Sequence, residues 1–146
     1  MKPIEKTIEI NAPKERVWDV LIKDELNRQW YAEFMEGSHA VTDWKQGSKV
    51  RFLDNDKNGI LGRIVENKPY ESIVIEYDGE VKNGQDDLES EAAIAMKGTQ
   101  EIYKLRSENG KTILDARAEM DENFYDMMAA AWDKAAVKIK ELAENN

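Results

Sequence analysis

Glu101 and Tyr103 are the residues of this sequence best placed to do chemistry. Tyr103 and Leu105 define the inward face of a predicted strand, and the two-residue period of a strand turns Thr99 and Glu101 to that same face. A carboxylate facing an apolar interior is costly unless it is paired or hydrated, and burial raises its pKa. Glu101 therefore has a functional interpretation, as a polar anchor or general base. In the structural alternatives, it lies at the solvated end of a pocket or pairs with a basic residue such as Arg63. No second acid or nucleophile accompanies it in the sequence, which favours the structural alternatives, and no catalytic residue is assigned.

Three other patterns are typical of ligand-binding loops, and each is incomplete. Asp54–Gly59 matches the opening of an EF-hand loop, but the position of the bidentate glutamate is occupied by Val65. Gly110–Thr112 resembles the end of a phosphate-binding loop, but the required earlier glycine is Leu105, and a strand is predicted to follow. His39 is the only histidine and cysteine is absent, so neither a metal site nor a cofactor is predicted.

Aromatic and flexible apolar side chains recur on one face of several predicted elements. Together with Glu101, the residues expected to line a hydrophobic cavity are Trp30, Phe34, Phe52, Ile75, Tyr77, Tyr103, Phe124 and Met128. They come from a short helical segment, from inward strand faces and from the last helix. Rings at regular spacing more often fill a core, so these residues form a binding site only if the fold leaves space between its layers.

The elements that position these residues follow from periodicity and turn residues. Asp54–Gly59 and Glu108–Lys111 are rich in turn formers and predict antiparallel hairpins. The polar stretch Val81–Ala92 is expected to be an exposed loop, with a strand resuming over Met96–Leu105. Apolar residues follow three- and four-residue steps over Phe124–Leu142, which predicts a helix about 28 Å long.

The opening segment passes from a strand to a helix with almost no loop. Ile8–Leu21 reads I-E-I-N-A-P-K-E-R-V-W-D-V-L, in which strand alternation gives way to helical spacing. Asn11 is a candidate N-cap, and Pro13 suits the first helical turn because its missing N–H is not needed there.

This segment and the element order resemble the START-like superfamily, also called SRPBCC or Bet v-like helix-grip. Ala12–Trp18, the turn Trp44–Ser48, and the closing Trp132 and Leu142 are most similar to its AHSA-like branch, the homologues of an activator of heat-shock-protein ATPase. The resemblance implies an α+β helix-grip fold in which a curved antiparallel β-sheet is wrapped around a long C-terminal α-helix. It also implies two short helices after the first strand, an internal hydrophobic cavity, and a bacterial origin for most relatives.

Composition limits the remaining possibilities. The 146 residues predict a single domain spanning 1–146. The net charge of −9, with scattered basic residues, argues against nucleic-acid binding. The apolar runs are too short for a membrane span, and the first residues lack the apolar core of a secretory signal. With no cysteine, a cytoplasmic location is expected.

The leading functional hypothesis is the binding of a small hydrophobic ligand (lipid, aromatic or isoprenoid-like) without catalysis, by a monomer or weak homodimer. One alternative is a cyclase-, aromatase- or hydrolase-like enzyme that uses Glu101 and Tyr103 in the same cavity. The other is a protein-interaction module of the heat-shock ATPase activator type. An enzyme needs convergent polar groups, a binder needs apolar walls, and an interaction module needs an exposed apolar patch.

Overall fold

A strongly curved antiparallel sheet and a long helix lying across it form the framework of the protein. The computed structural model describes residues 1–145. The strands are β1 (Lys2–Ile10), β2 (His39–Val41), β3 (Lys49–Leu53), β4 (Gly59–Lys68), β5 (Ser72–Lys82), β6 (Gln85–Asp87), β7 (Gln100–Glu108) and β8 (Lys111–Met120). The helices are α1 (Lys14–Ile22), α2 (Asp24–Tyr31), α3 (Glu91–Met96) and α4 (Tyr125–Glu144), with a 3-10 turn at Glu122–Phe124.

The sheet has the order β1-β8-β7-β5-β4-β3-β2, and β6 pairs with β5 beside this path. Both predicted hairpins are confirmed. Asn109 and Gly110 have φ values of 52° and 80°, as a two-residue turn between paired strands requires. In the β3–β4 turn, the Asp54 carboxylate accepts the backbone N–H groups of Asp56 at 2.8 Å and Asn58 at 3.0 Å. The EF-hand-like stretch is thus a hairpin turn closed by its own aspartate.

Irregular pairing between β4 and β5 accompanies the bend of the sheet. Their register shifts between Leu61 and Gly62 and again between Ile64 and Glu66, and bulges of this kind bend and twist a strand. A Cβ at position 62 would lie only 2.8 Å from the carbonyl oxygen of Glu76, so the close approach of the strands requires glycine. The bend leaves a concave face that can hold a helix.

Helix α4 lies on this face and confirms the predicted helix-grip architecture. Its fully or nearly fully buried residues are Trp132, Ala135, Ile139 and Ala143. Hydrogen bonds connect the end of α4 to the first strand and the first helix. The Lys140 ammonium donates to the carbonyl of Glu9 at 2.8 Å, and the Arg16 guanidinium donates to the carbonyl of Leu142 at 2.9 Å. Among residues 1–145, no helix is long and apolar enough to cross a bilayer.

Two local predictions were wrong. The stretch Val81–Ala92 is not a loop, because β5 continues to its second residue, β6 follows, and α3 begins within it. The hydroxyl of Ser90 caps α3 by accepting the N–H of Ala93. Asn11 does not cap α1. Pro13 holds the N-cap position with no side-chain hydrogen bond, and the backbone N–H of Asn11 is used by Glu144 instead.

Candidate functional site

A cavity of about 310 Å³ lies between the concave face of the sheet, α2, α3 and the first half of α4. Eight of the nine residues predicted from the sequence line it: Trp30, Phe34, Phe52, Tyr77, Glu101, Tyr103, Phe124 and Met128. Ile75 does not, and its assignment was wrong. Its side chain is fully buried in the core and packs beside Gly62, where a Cβ would lie 3.4 Å from it. Ile75 faces the same side of the sheet as its strand partner Glu101, but it is enclosed by the hydrophobic core.

Connected aromatic rings form the deepest wall of the cavity. Trp30, on α2, is fixed by its indole N–H, which donates to the carbonyl of Val20 at 2.8 Å. Its ring centroid lies 6.2 Å from that of Tyr103, 6.1 Å from that of Trp132 and 6.5 Å from that of Phe34. Edge-to-face and tilted contacts at these distances are favourable beyond simple area burial. This wall is therefore held in position before any ligand arrives.

A second group of rings continues the wall toward the bent strands. The ring of Phe52 lies 6.1 Å from Tyr31 and 6.3 Å from Tyr77. Tyr31 and Trp132 were not among the predicted lining residues. Trp132 follows Met128 by one helical turn, so the spacing of α4 carried the signal that would have identified it.

Glu101 is the polar centre of the cavity. It faces Ile75 and Ala118 on the neighbouring strands, and its carboxylate accepts the hydroxyl of Tyr77 at 3.0 Å. Burial raises the pKa of Glu101 above its ordinary value, although hydrogen bonding from Tyr103 and Tyr77 opposes this shift. Glu101 thus has tyrosine hydroxyls as neighbours and keeps acceptor capacity for a ligand.

The tyrosines around Glu101 remain protonated at neutral pH. Burial, reinforced by the charge of Glu101, raises the pKa values of Tyr77 and Tyr103 well above the ordinary value. The pKa of Tyr31 is raised for the same two reasons. These hydroxyls can therefore donate hydrogen bonds to the carboxylate or to a ligand, but they do not supply a phenolate.

The alternative pairing of Glu101 with Arg63 is wrong. The guanidinium of Arg63 instead binds Asp78 at 2.9 Å and Glu76 at 3.0 Å. Glu76 neighbours Ile75 along β5, so its side chain points to the opposite face of the sheet from the cavity. Arg63 belongs to an ion-pair cluster on that outer face.

The charged residues that line the cavity are all acidic. They are Glu80, Glu101, Glu119 and Asp121. The carboxylate of Glu119 accepts the backbone N–H of Gln100 at 3.0 Å, and that of Asp121 accepts the N–H of Asn123 at 2.8 Å, which caps the 3-10 turn before α4. Within residues 1–145, no lysine, arginine or histidine lines the cavity, and the ammonium of Lys82 lies 3.9 Å from the carboxylate of Glu80.

These carboxylates do not form a metal centre. No cluster of three or more histidine, cysteine, aspartate or glutamate side chains that could hold a metal ion occurs in the described part of the chain. His39 lies on β2, where its Nδ1 is 2.9 Å from the carbonyl oxygen of Gly37. The acidic groups are spread around the cavity and its mouth.

Flexible and small residues surround the mouth. Helix α3 contributes Ala92, Ala95 and Met96, which the sequence interpretation missed because it placed this helix in a loop and strand. The serine cap followed by E-A-A-I-A-M was the available signal. On the other side, Phe124 is 53% exposed. An apolar side chain so placed can cover a ligand without belonging to the core.

A curved sheet gripping a C-terminal helix around an apolar cavity defines a helix-grip protein. The chain belongs to the Activator of Hsp90 ATPase homolog 1-like protein family, whose pattern matches residues 11–144. The START-like, AHSA-like resemblance seen in the sequence is thereby confirmed.

Solved structures show the same fold at low sequence identity. The solution structure of the Aha1 dimer from Colwellia psychrerythraea superposes with a TM-score of 0.74 at 16% identity, covering 99% of this chain and 97% of that one. Protein MLL2253 from Mesorhizobium loti gives 0.75 at 13%, covering 99% and 98%. CalU16 from Micromonospora echinospora gives 0.68 at 15%, covering 97% and 75%. No functionally curated protein matches the sequence.

Proposed function

We propose that this protein binds a small hydrophobic molecule in the cavity between sheet and C-terminal helix, without catalysis. The observation that carries the proposal is a cavity of about 310 Å³ walled by aromatic rings that are already packed against one another. Ligand sites in proteins are concave, mostly apolar and largely preformed, with a few polar groups that orient the ligand. Glu101 and Tyr103 are suited to that orienting role.

The size of the cavity limits the affinity. Burying 200 to 300 Å² of apolar ligand surface contributes roughly 5 to 7 kcal/mol before the cost of association. A generic lipid, aromatic or isoprenoid-like compound is therefore expected to bind with at best micromolar affinity. Tighter binding requires a ligand that also uses the polar groups.

Native mass spectrometry of protein purified from its own host tests the proposal directly, because it gives the mass of any carried ligand. Tryptophan fluorescence titration with fatty acids, flavonoids and polycyclic aromatics tests it in vitro. Trp30 and Trp132 lie in the cavity wall, so occupancy is expected to change the emission.

A blocked cavity provides the matched control. Ala118 lines the cavity, whereas Ala130 is exposed on α4. Ala118→Phe is expected to abolish the response to ligand, and Ala130→Phe is expected to leave it intact. If Ala118→Phe lowers thermal stability too far, Ala95→Phe at the mouth serves the same purpose with less burial. Equal titration by blocked and control variants would show that ligands bind elsewhere.

The Glu101–Tyr77 hydrogen bond favours a second candidate, an acid–base enzyme of the cyclase, aromatase or hydrolase type. A carboxyl group with a raised pKa beside tyrosine donors is a feature of such sites. The fate of a ligand that copurifies with the protein distinguishes a binding protein from an enzyme. A binder returns a trapped compound unchanged after incubation, whereas an enzyme converts it at a rate that Glu101→Gln lowers by orders of magnitude.

We also propose that the chain acts in the cytoplasm as one domain and as a monomer or weak homodimer. The relative from Colwellia psychrerythraea was solved as a dimer, so self-association is the state to test. Sedimentation across a concentration series distinguishes monomer from dimer, and a concentration-independent larger species would contradict the proposal. Binding of an ATPase partner would instead favour the protein-interaction alternative.

A further inference from the structure

We infer that the cavity selects hydrophobic amines, with the ammonium group directed at Glu101 and the apolar body against the aromatic wall. The inference rests on the proposed binding function and deepens it by naming the charge of the ligand. It excludes fatty acids and other carboxylates as preferred ligands.

The first argument is the sign of the charges around the cavity. The four charged residues that line it are all acidic, and no lysine, arginine or histidine among the described residues lines it. Two cations of the outer surface are already paired. Arg63 binds Glu76 and Asp78, and Arg51 binds Asp86 at 2.7 Å. Of the lining carboxylates, Glu80 lies 3.9 Å from the ammonium of Lys82. Glu101 makes no ion pair with any described residue, so its charge is the one that a cationic ligand could compensate.

The second argument is the environment of Glu101. Its carboxylate accepts the hydroxyl of Tyr77 at 3.0 Å and is also hydrogen-bonded by Tyr103, and the acceptor capacity of a carboxylate is greater than two such bonds. The facing groups are Tyr77 from β5, Tyr103 from β7 and Tyr31 from α2. Glu119 follows Ala118, the strand partner of Glu101, so its side chain points to the other face of β8. None of the facing groups is a cation. An ammonium group would supply the opposite charge that stabilises a buried carboxylate.

The third argument is the kind of wall that surrounds this carboxylate. Tyr103 and Trp132 have ring centroids 5.9 Å apart, and both adjoin Trp30. Electron-rich ring faces attract organic cations, most strongly where water is excluded. An apolar carboxylate of the same size would gain the ring contacts but would meet the acidic groups with like charge, which selects against it.

Three probes with the same naphthalene body separate charge from apolar burial: naphthalen-2-ylmethylamine, naphthalen-2-ylmethanol and 2-naphthoate. Binding is measured by calorimetry at about pH 7, where the amine is a cation and the naphthoate an anion. The amine is expected to bind at least about tenfold more tightly than the alcohol, equivalent to about 1.4 kcal/mol. The naphthoate is expected to bind more weakly than the alcohol.

Glu101→Gln tests the assigned residue, because glutamine keeps an acceptor for Tyr77 but removes the charge. It should bring the amine to within about twofold of the alcohol, and it should weaken the amine far more than the alcohol. Glu71→Gln removes an exposed carboxylate outside the cavity and should change neither affinity. If Glu101→Gln does not fold, the pH dependence of the wild type replaces it. Affinity for the amine should fall on acidification through the pKa of Glu101, and that for the alcohol should not.

The possible results separate a failure of the amine preference from a failure of hydrophobic binding itself. If all three probes bind equally, or the naphthoate binds most tightly, the inference is overturned while hydrophobic binding stands. If none of the probes binds, the proposed function itself fails. A preference for the amine that survives in Glu101→Gln, or a wild-type amine affinity that does not respond to pH, overturns the assignment to this residue.

Discussion

Replacing Trp132 with alanine is the strongest single perturbation of the cavity wall. Trp132 is 3% exposed and its ring lies 5.2 Å from Phe34, 5.9 Å from Tyr103 and 6.1 Å from Trp30. A tryptophan buries roughly 150 to 250 Å², which at about 25 cal/mol per Å² corresponds to about 4 to 6 kcal/mol as an upper bound. Measured costs of comparable substitutions, about 3 to 5 kcal/mol, are the better expectation.

This loss is a large share of the total stability of a domain, about 5 to 15 kcal/mol. The melting temperature should fall by about 6 to 20 °C, at roughly 2 to 4 °C per kcal/mol for a chain of this size. Circular dichroism during urea and thermal unfolding is the suitable assay, because the substitution removes a fluorophore. Phe124→Ala is the matched control. It also truncates a lining ring, but one that is 53% exposed, so a loss of about 1 kcal/mol is expected.

The space left by Trp132→Ala adds a second readout. Apolar cavities made by truncation stay dry and take up small aromatic compounds. Indole should therefore raise the melting temperature of Trp132→Ala more than that of the wild type. Equal losses for Trp132→Ala and Phe124→Ala, or a loss below about 1 kcal/mol for the tryptophan, would refute the reasoning that this ring holds the wall together.

Three further predictions concern pH, metal and backbone packing. Because burial raises the pKa of Glu101, the folded state holds its proton more tightly than the unfolded state, and stability is lost as pH rises from the ordinary value through the folded one. Glu101→Gln escapes this loss. The variant and the wild type should therefore melt at nearly the same temperature below about pH 4, and the variant should melt at a higher temperature at neutral pH. A difference in melting temperature that does not change with pH would contradict this. Chelator treatment should leave the melting temperature unchanged, and a clear drop would reveal a structural metal. Gly59→Ala should destabilise strongly because a Cβ there would lie 1.6 Å from the carbonyl oxygen of Phe52, whereas Gly47→Ala, with open space around its Cβ but φ of +93°, should show backbone strain alone.

Element order was predictable from the sequence because it depends on local signals. Three local signals each specify one hairpin or helix without reference to the rest of the chain. They are the tight turn at Asn109 and Gly110, the run of turn formers at Asp54–Gly59, and the apolar periodicity of the last helix. Helix α3 was not predicted because it is only six residues long and lies in the most polar part of the chain. As a result, β7 begins at Gln100, several residues later than expected.

In the candidate site, strand alternation predicted which way a side chain points but not how deeply it is buried. Glu101 and Tyr103 lie on β7, which pairs with β8 without a register shift, so their inward direction followed from their spacing. Ile75 faces the same side as its partner Glu101 but is fully buried in the core, and alternation gives the direction of a side chain without its depth. Arg63 pairs across the ladder with Glu76, which could be known only once the register of β4 and β5 was known. The requirement for Gly62 becomes visible only when the neighbouring strand is in place.

The pairing of β1 with β8 also affects how the protein is made. Lys2 pairs with Met120 and Ile10 with Thr112, so every partner in this ladder is more than a hundred residues away along the chain. Contacts of such long range form slowly and cannot form on the ribosome until β8 has emerged. Until then the concave sheet has no helix α4 to cover it, and its apolar face is open to chaperones or to aggregation. A hydrophobic ligand meets its complete site only when synthesis has passed α4, so its binding would report that the fold has closed.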